Sequence, residues 1–157
     1  MQGADPVHLA GAPLTESRHV CAFFRSSADE RGVLLPFVLE GLRSGDRAFQ
    51  IVDPTHRDDF LISLAEAGVD VEYSRRTGQL VTRDWTEAYL RGGHFDQEAM
   101  LALIETELIQ GKSAGFRLVR LVAHMEWALE DRPGVDDVVE YEARLNYILP
   151  RYPDPVV

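Results

Sequence analysis

Cysteine and lysine each occur only once in this chain of 157 residues, as Cys21 and Lys112. A single cysteine excludes a disulfide within the chain and a thiolate metal cluster built from one copy, and this usage is typical of a reducing compartment. Nowhere does the sequence approach the run of about 18 apolar residues that a membrane-spanning helix needs. Residues 1–14 lack the basic start and the apolar stretch of a signal peptide. We therefore expect a soluble, cytoplasmic protein that does not contact a membrane.

Positive charge is also scarce: the chain has 16 basic and 26 acidic residues, so its formal net charge is −10. The basic residues are scattered among acids and form no patch, so direct contact with nucleic acid is not expected. Apolar residues make up 45% of the chain and charged residues 27%, which is the balance of a globular protein with a buried core. A chain of this length forms one domain.

Hydrophobic periodicity predicts the order of the elements. Residues 1–17 contain glycine and proline with little periodicity and predict a flexible leader, so the single domain spans residues 18–157. Short apolar runs predict buried strands at residues 19–24, 47–52, 79–83 and 116–123. Three- and four-residue apolar spacings predict helices at residues 29–44, 54–68, 84–89, 97–110, 125–130 and 135–149. This alternation predicts the α/β class, with three αβα layers around a largely parallel sheet.

Standard catalytic and phosphate-binding motifs are missing. Gly111, Lys112 and Ser113 resemble the end of a phosphate loop, but Thr106 stands where the loop needs glycine, and the triplet closes a predicted helix instead of opening one. No Gly-x-Ser-x-Gly elbow is present, and Cys21 lies inside a predicted strand as a small buried hydrophobe. A catalytic nucleophile is therefore not predicted.

Histidine offers little support for a metal centre. No two of the five histidines stand four residues apart, so the sequence predicts neither a metal site nor a cofactor; they are His8, His19, His56, His94 and His124.

Polar and aromatic side chains follow the predicted strands, where open α/β sheets bind ligands at the carboxyl edge. His124, Glu126 and Trp127 come after the strand at residues 116–123 and could orient and enclose a ligand. An equally supported alternative is that Trp127 fills the core and His124 caps a backbone carbonyl. The same rule brings further residues to this edge: Phe24, Arg25, Asp53, His56, Asp84 and Trp85.

Several motifs in fixed order resemble the MEDS family of sensory domains. They are HVCAFF at 19–24, LPFVLEGL at 35–42, AGVD at 67–70, GQL at 78–80, YLRGGHFD at 89–96, RLVAHMEW at 120–127 and EYEARLN at 140–146. The resemblance implies a fold akin to the RecA and KaiC core without its nucleotide loop, and a role in detecting small, often hydrocarbon-like molecules. Members often precede a kinase or DNA-binding domain, so the output would pass through a partner regulator or kinase, or through a homo-oligomer.

The chain departs from the family at two places. His124 stands where members commonly carry an acidic residue, which could change ligand preference. The family also tends to end in a strand, whereas this chain has three prolines near its end. We therefore expect the sheet edge to be exposed or completed by a partner.

These observations predict a small-molecule sensing domain. Phe24 and Trp127 would wall the ligand, and Glu142 would hold Arg120 or His19. The predicted ligand-binding residues are His19, Phe24, Arg25, Asp53, Arg120, His124, Glu126, Trp127 and Glu142. Two alternatives stay open: a small enzyme that uses His124 and Glu126 as acid and base on a bound metabolite, and a protein-interaction module without a ligand.

Overall fold

The computed structural model describes residues 6–15 and 18–157. Its first element is an antiparallel hairpin of β1 (Val7–Leu9) and β2 (Ala12–Leu14), which turns at Gly11 with φ of 78°. Val7 is fully buried in a core cluster with side chains of α1 (Ser27–Arg43). The structure differs here from the expected flexible leader, because apolar side chains in this short segment pack onto the domain. The rest of that prediction, at residues 1–5, 16 and 17, lies outside the described residues.

Three parallel strands form the central sheet. They are β3 (Arg47–Val52), β4 (Leu80–Asp84) and β5 (Val119–Ala123), in the order β4-β3-β5. Both pairings are parallel. β3 is buried almost throughout because it has a neighbour on each side. The prediction of an α/β domain around a parallel sheet is therefore confirmed.

Helices connect the strands near the predicted positions. After α1 come α2 (Arg57–Glu66), α3 (Val71–Arg76), α4 (Trp85–Ala88), α5 (Gln97–Ser113) and α6 (Val138–Ile148). Ser26 caps α1 by accepting from the Asp29 N–H, and Asp96 caps α5 in the same way. Three short 3-10 turns cover Glu126–Leu129, Val135–Asp137 and Leu149–Arg151. No helix in the described residues combines the length and apolarity that crossing a bilayer requires.

Strand alternation divides the core between the two faces of the sheet. Phe49, Val119 and Leu121 pack in one cluster with side chains of α5 and α6. Ala48 and Val122 belong to a second cluster with side chains of α1 and the hairpin. Helices therefore cover both faces of the sheet.

The prediction of a first strand at residues 19–24 is wrong. His19 forms one isolated parallel bridge, with Val156, and Cys21 and Phe23 are exposed. The pairing of this segment ends with the Val20 N–H, which donates to the Val156 carbonyl at 2.9 Å, and strand-favouring composition does not make a strand where no neighbour is paired. Cys21 is consequently not the buried hydrophobe that the sequence predicted.

The carboxyl-terminal residues cover the outer edge of β5. Val156 bridges Leu121 as well as His19, both in parallel. The Leu121 N–H donates to the Pro155 carbonyl at 3.0 Å, and the Ala123 N–H donates to that of Val157 at 2.9 Å. Proline lacks a donor but still accepts, so Pro155 does not interrupt this pairing. The expectation that this edge is exposed or needs a partner is therefore wrong for β5.

Candidate functional site

Four ionisable side chains meet at the carboxyl edge of the sheet, and we call them the rim cluster: Glu30, Asp53, His124 and Glu126. Asp53 follows β3 and His124 follows β5, whose parallel pairing brings their ends together. The backbone N–H of His124 donates to the Ile51 carbonyl at 2.9 Å and so holds the histidine at this edge.

His124 lies between two carboxylates. Its Nδ1 is 3.3 Å from Oε1 of Glu30 and 3.6 Å from Oε1 of Glu126, and its side chain is 17% exposed. Burial opposes the imidazolium, but the hydrogen bond with Glu126 and the charges of the neighbouring carboxylates outweigh it and raise the pKa of His124. In return, the hydrogen bond with His124 lowers the pKa of Glu126. The rim cluster therefore favours a protonated histidine among acids.

Asp53 has two roles at this edge. Its Oδ1 accepts from the backbone N–H and the hydroxyl of Thr55, both at 2.8 Å, in a turn that leads into α2. Partial burial opposes its ionisation, but these bonds hold the pKa of Asp53 below its ordinary value, with a further contribution from His124. Asp53 is thus a charged member of the rim cluster and also a turn residue.

Trp127 does not line this edge. It is fully buried, and its ring lies 4.8 Å from that of Tyr89 and 5.3 Å from that of Phe95, between centroids. The 3-10 turn Glu126–Leu129 directs the indole into the core instead of outward. The sequence allowed two roles for Trp127, in the core or as a wall of the ligand site. The structure places it in the core, so the predicted ligand wall is wrong.

Arg120 does not line the edge either. It is 0% exposed, and its Nε donates to Asp46 at 2.7 Å. Its two terminal nitrogens donate to the Phe37 carbonyl at 2.9 Å and to Glu40 at 3.0 Å. Strand alternation points Arg120 toward α1, whereas α6 packs on the opposite face. The predicted pairing of Arg120 with Glu142 is therefore wrong.

A second group, the edge cluster, consists of His19, Cys21, Glu142 and Asn146. His19 Nε2 lies 3.4 Å from Oε2 of Glu142, and its Nδ1 lies 2.9 Å from Oδ1 of Asn146. The Cys21 thiol donates to the same Glu142 oxygen at 3.6 Å. The hydrogen bond with Glu142 raises the pKa of His19, while burial raises that of Cys21. The predicted contact between Glu142 and His19 is present.

A groove of about 340 Å³ opens beside the edge cluster. His19 and Asn146 belong to its wall, together with Arg18, Tyr152 and Asp154. This groove lies along the outermost segment of the sheet, and no residue of the rim cluster lines it. The edge cluster is thus reachable from solvent.

The predicted site residues therefore divide between places. Asp53, His124 and Glu126 meet at the rim, and His19 and Glu142 meet at the edge cluster. Phe24 is half-buried against the α1 side of the core, and Arg25 is exposed.

Sequence reasoning missed Glu30, Cys21 and Asn146. A signal existed for Glu30, since it lies in the first turn of the helix after residues 19–24, the segment that the sequence predicted to end at this edge. Both clusters hold three side chains whose ligand atoms lie within 4.8 Å of one another, which suits a metal ion: His19, Cys21 and Glu142, and Glu30, His124 and Glu126. The spacing test on histidines could not detect them, because each set joins segments far apart in sequence.

A parallel sheet with helices on both faces defines a domain of the α/β class. The chain belongs to the MEDS family, since the model of the methanogen/methylotroph, DcmR sensory domain matches residues 18–156. It is also similar to the transcriptional repressor DcmR of Methylorubrum extorquens (strain DSM 6343 / CIP 106787 / DM4), with 29% identity over 149 residues, or 95% of this chain and 53% of the repressor. The chain thus spans about half the length of that relative. No solved structure matches it significantly.

Proposed function

We propose that this chain is a small-molecule sensing domain whose ligand binds at the rim cluster, and that it acts in signal transduction or transcriptional regulation. The proposal rests on one observation: His124, 17% exposed, is held between Glu30 and Glu126 at the carboxyl ends of parallel strands. Open α/β sheets bind their ligands at such edges. Half-buried ionisable groups that no core requirement explains are typical of functional sites.

The charges of the rim cluster favour one kind of ligand. Three carboxylates around one imidazole attract a molecule with hydrogen-bond donors or a positive charge. The family resemblance favours a hydrocarbon-like molecule, but Trp127 is part of the core and supplies no apolar wall here. A small metabolite of mixed polarity satisfies both considerations.

The output of the domain is part of the proposal. A relative of about twice this length is a transcriptional repressor, so we infer that the signal passes through a homo-oligomer or a partner regulator or kinase in the cytoplasm. With a net charge of −10, this domain would leave contact with nucleic acid to that partner. A RecA- or KaiC-like core without the phosphate loop also belongs to the proposal, supported by the parallel sheet.

A thermal-shift screen tests the rim cluster directly. The probes are small polar metabolites and short-chain hydrocarbon derivatives, and a ligand present at 100 times its Kd should stabilise the native state by about 2.7 kcal/mol. We expect this shift to disappear in His124→Gln and Glu30→Gln. It should persist in His94→Gln, which removes an exposed histidine elsewhere.

Two results would contradict the proposal: a panel without any stabilising compound, or a shift that is unchanged in both rim variants. Glu126→Gln alters a side chain that is 53% exposed, so it keeps the test open should His124→Gln not fold. The close approach of His124 to Glu126 also favours a second candidate function, acid–base catalysis. Product detected by mass spectrometry after incubation with a stabilising compound would favour that enzyme over the sensor.

A further inference from the structure

The edge cluster brings three different ligand atoms into a small volume. Strand-like backbone directs alternate side chains to the same side, so His19 and Cys21 both reach toward α6. Glu142 projects from α6 and meets each of them, with its Oε2 at 3.4 Å from His19 Nε2 and at 3.6 Å from Cys21 Sγ. All three ligand atoms lie within 4.8 Å of one another. This set shares no residue with the rim cluster.

Asn146 orients the histidine in this set. Its side-chain oxygen lies 2.9 Å from His19 Nδ1, so Nδ1 can donate its hydrogen to Asn146, and Nε2 would offer its lone pair to an ion once it gives up the hydrogen that it shares with Glu142. A metal-binding histidine usually donates its other ring N–H to a neighbouring oxygen in this way, which fixes its tautomer. Asn146 stands four residues after Glu142, so one face of α6 supplies both side chains.

The spacing of these atoms also matches a coordination shell. Zinc binds nitrogen, oxygen and thiolate sulfur at about 2.0–2.3 Å in tetrahedral geometry, which separates neighbouring ligand atoms by roughly 3.3–3.7 Å. The observed separations from the Glu142 oxygen, 3.4 and 3.6 Å, fall in that range. The third separation, between His19 Nε2 and Cys21 Sγ, is within 4.8 Å, so these two side chains would need to move closer to each other to surround one ion.

We propose that His19, Cys21 and Glu142 bind a divalent transition-metal ion of the zinc type. The thiolate selects for zinc over magnesium or calcium, which prefer oxygen ligands alone. The thiol proton that Cys21 shares with Glu142 leaves when the metal binds. The thiolate and the carboxylate then balance the double positive charge of the ion, and the imidazole releases the hydrogen that Nε2 shares with Glu142 and binds as a neutral ligand.

Three protein ligands leave the fourth coordination position open. The groove beside His19 and Asn146 gives water or a small ligand access to this position. Sites with three protein ligands are typical of zinc that acts on a bound molecule, whereas purely structural zinc usually has four. The ion would also join the segment around His19 to α6, which are more than a hundred residues apart in sequence.

Cobalt provides the test, because a Co²⁺–thiolate bond absorbs in the near ultraviolet and tetrahedral Co²⁺ absorbs strongly in the visible. The metal-free chain, stripped with chelator and kept reduced, is titrated with Co²⁺ and then with Zn²⁺. We expect both bands to saturate at one equivalent per chain and to vanish as Zn²⁺ displaces Co²⁺. Cys21 is exposed, so Cys21→Ser should fold and should lose the charge-transfer band.

Matched variants assign the remaining ligands. Outer-shell partners typically contribute about 10–100-fold to metal affinity, so Asn146→Ala should weaken Co²⁺ binding by that range, and His19→Gln or Glu142→Gln by more. Glu140→Gln changes an exposed carboxylate on the same helix and should bind normally.

Three outcomes would overturn the site. The first is the absence of a thiolate band at Co²⁺ well above the protein concentration. The second is binding that survives Cys21→Ser but is lost in His124→Gln, which would move the ion to the rim cluster. The third is saturation at half an equivalent, which indicates a site between two copies. Each can occur while the small-molecule screen at the rim still succeeds, so the two proposals fail independently.

Discussion

Replacing Arg120 with methionine tests the clearest disagreement between sequence reasoning and structure. The sequence paired this arginine with Glu142, whereas the structure pairs it with Asp46 and Glu40 on the opposite face of the sheet. Methionine keeps most of the side-chain volume but removes every donor. The variant therefore measures the hydrogen bonds and charge pairs of Arg120 with little change in packing.

The expected magnitude follows from the partners that each side chain keeps. Removing one partner of a buried ion pair costs about 3–5 kcal/mol when the other charge is left uncompensated. Asp46 still accepts from Arg117 at 2.8 and 3.0 Å, so Arg120→Met should cost about 3 kcal/mol, at the lower end of that range. This is a large part of the 5–15 kcal/mol that typically separates folded and unfolded states, roughly a fifth to three fifths of it.

A double-mutant cycle decides which carboxylate is the partner. Urea unfolding followed by the fluorescence of the two tryptophans gives the free energy of unfolding for Arg120→Met, Asp46→Asn and the double variant. In-contact pairs show coupling of roughly 0.5–3 kcal/mol, and we expect about 2 kcal/mol here because both side chains are fully buried. The matched cycle with Glu142→Gln should show less than about 0.5 kcal/mol.

Coupling to Glu142 as large as that to Asp46 would refute the assignment. So would a cost below about 1 kcal/mol for Arg120→Met, which is the range of exposed ion pairs. Glu40→Gln, at a half-buried position, gives a milder perturbation of the same network should Arg120→Met fail to fold.

Two further predictions follow from the backbone and from the rim cluster. Gly134 has a φ of 86°, and a Cβ there would lie 2.4 Å from the Phe95 carbonyl oxygen. Gly134→Ala should therefore lower the free energy of unfolding by about 2 kcal/mol more than Gly93→Ala, because Gly93 has a similar φ of 84° but open space around it; equal losses in urea melts would contradict this. The pKa of His124 is raised above its usual 6.5, so its stabilising contribution is complete below that pH and is lost as the pH rises through the folded-state pKa. Melting temperatures should accordingly fall more steeply above pH 6.5 in the wild type than in His124→Gln, and parallel curves would argue against the charged rim.

Local patterns predicted much of the fold. The runs that became β3 and β4 are bounded by glycine, aspartate or proline, and each strand lies within a residue of its predicted ends. Ser26 and Asp96 were sufficient to place the starts of two long helices. The hairpin of β1 and β2 was missed because three-residue strands carry almost no periodic signal. The strand at residues 19–24 was predicted wrongly for the opposite reason, since its composition favours a strand that only a neighbouring chain segment can complete.

The candidate site was harder to predict because its geometry is not local. Asp53 and His124 could be placed at one edge from the parallel topology alone. Strand alternation would also have placed Arg120 and Glu142 on opposite faces of the sheet, but the sequence does not tell which face α6 covers. The contact of Cys21 with Glu142 spans 121 residues in sequence, and no pattern in a single sequence reports such a distance.

The two clusters are connected by a short stretch of backbone. It begins at His19 and Cys21 in the edge cluster and reaches Glu30 of the rim cluster in the first turn of α1. Phe23, midway along it, is 95% exposed, whereas Val20 and Phe24 on either side of it pack against the α1 side of the core. Occupancy of either cluster would order the same backbone, and a free-energy coupling of that kind acts equally in both directions. The exposed residues of this stretch, Phe23 among them, are where a partner would detect a change that binding at either cluster produces.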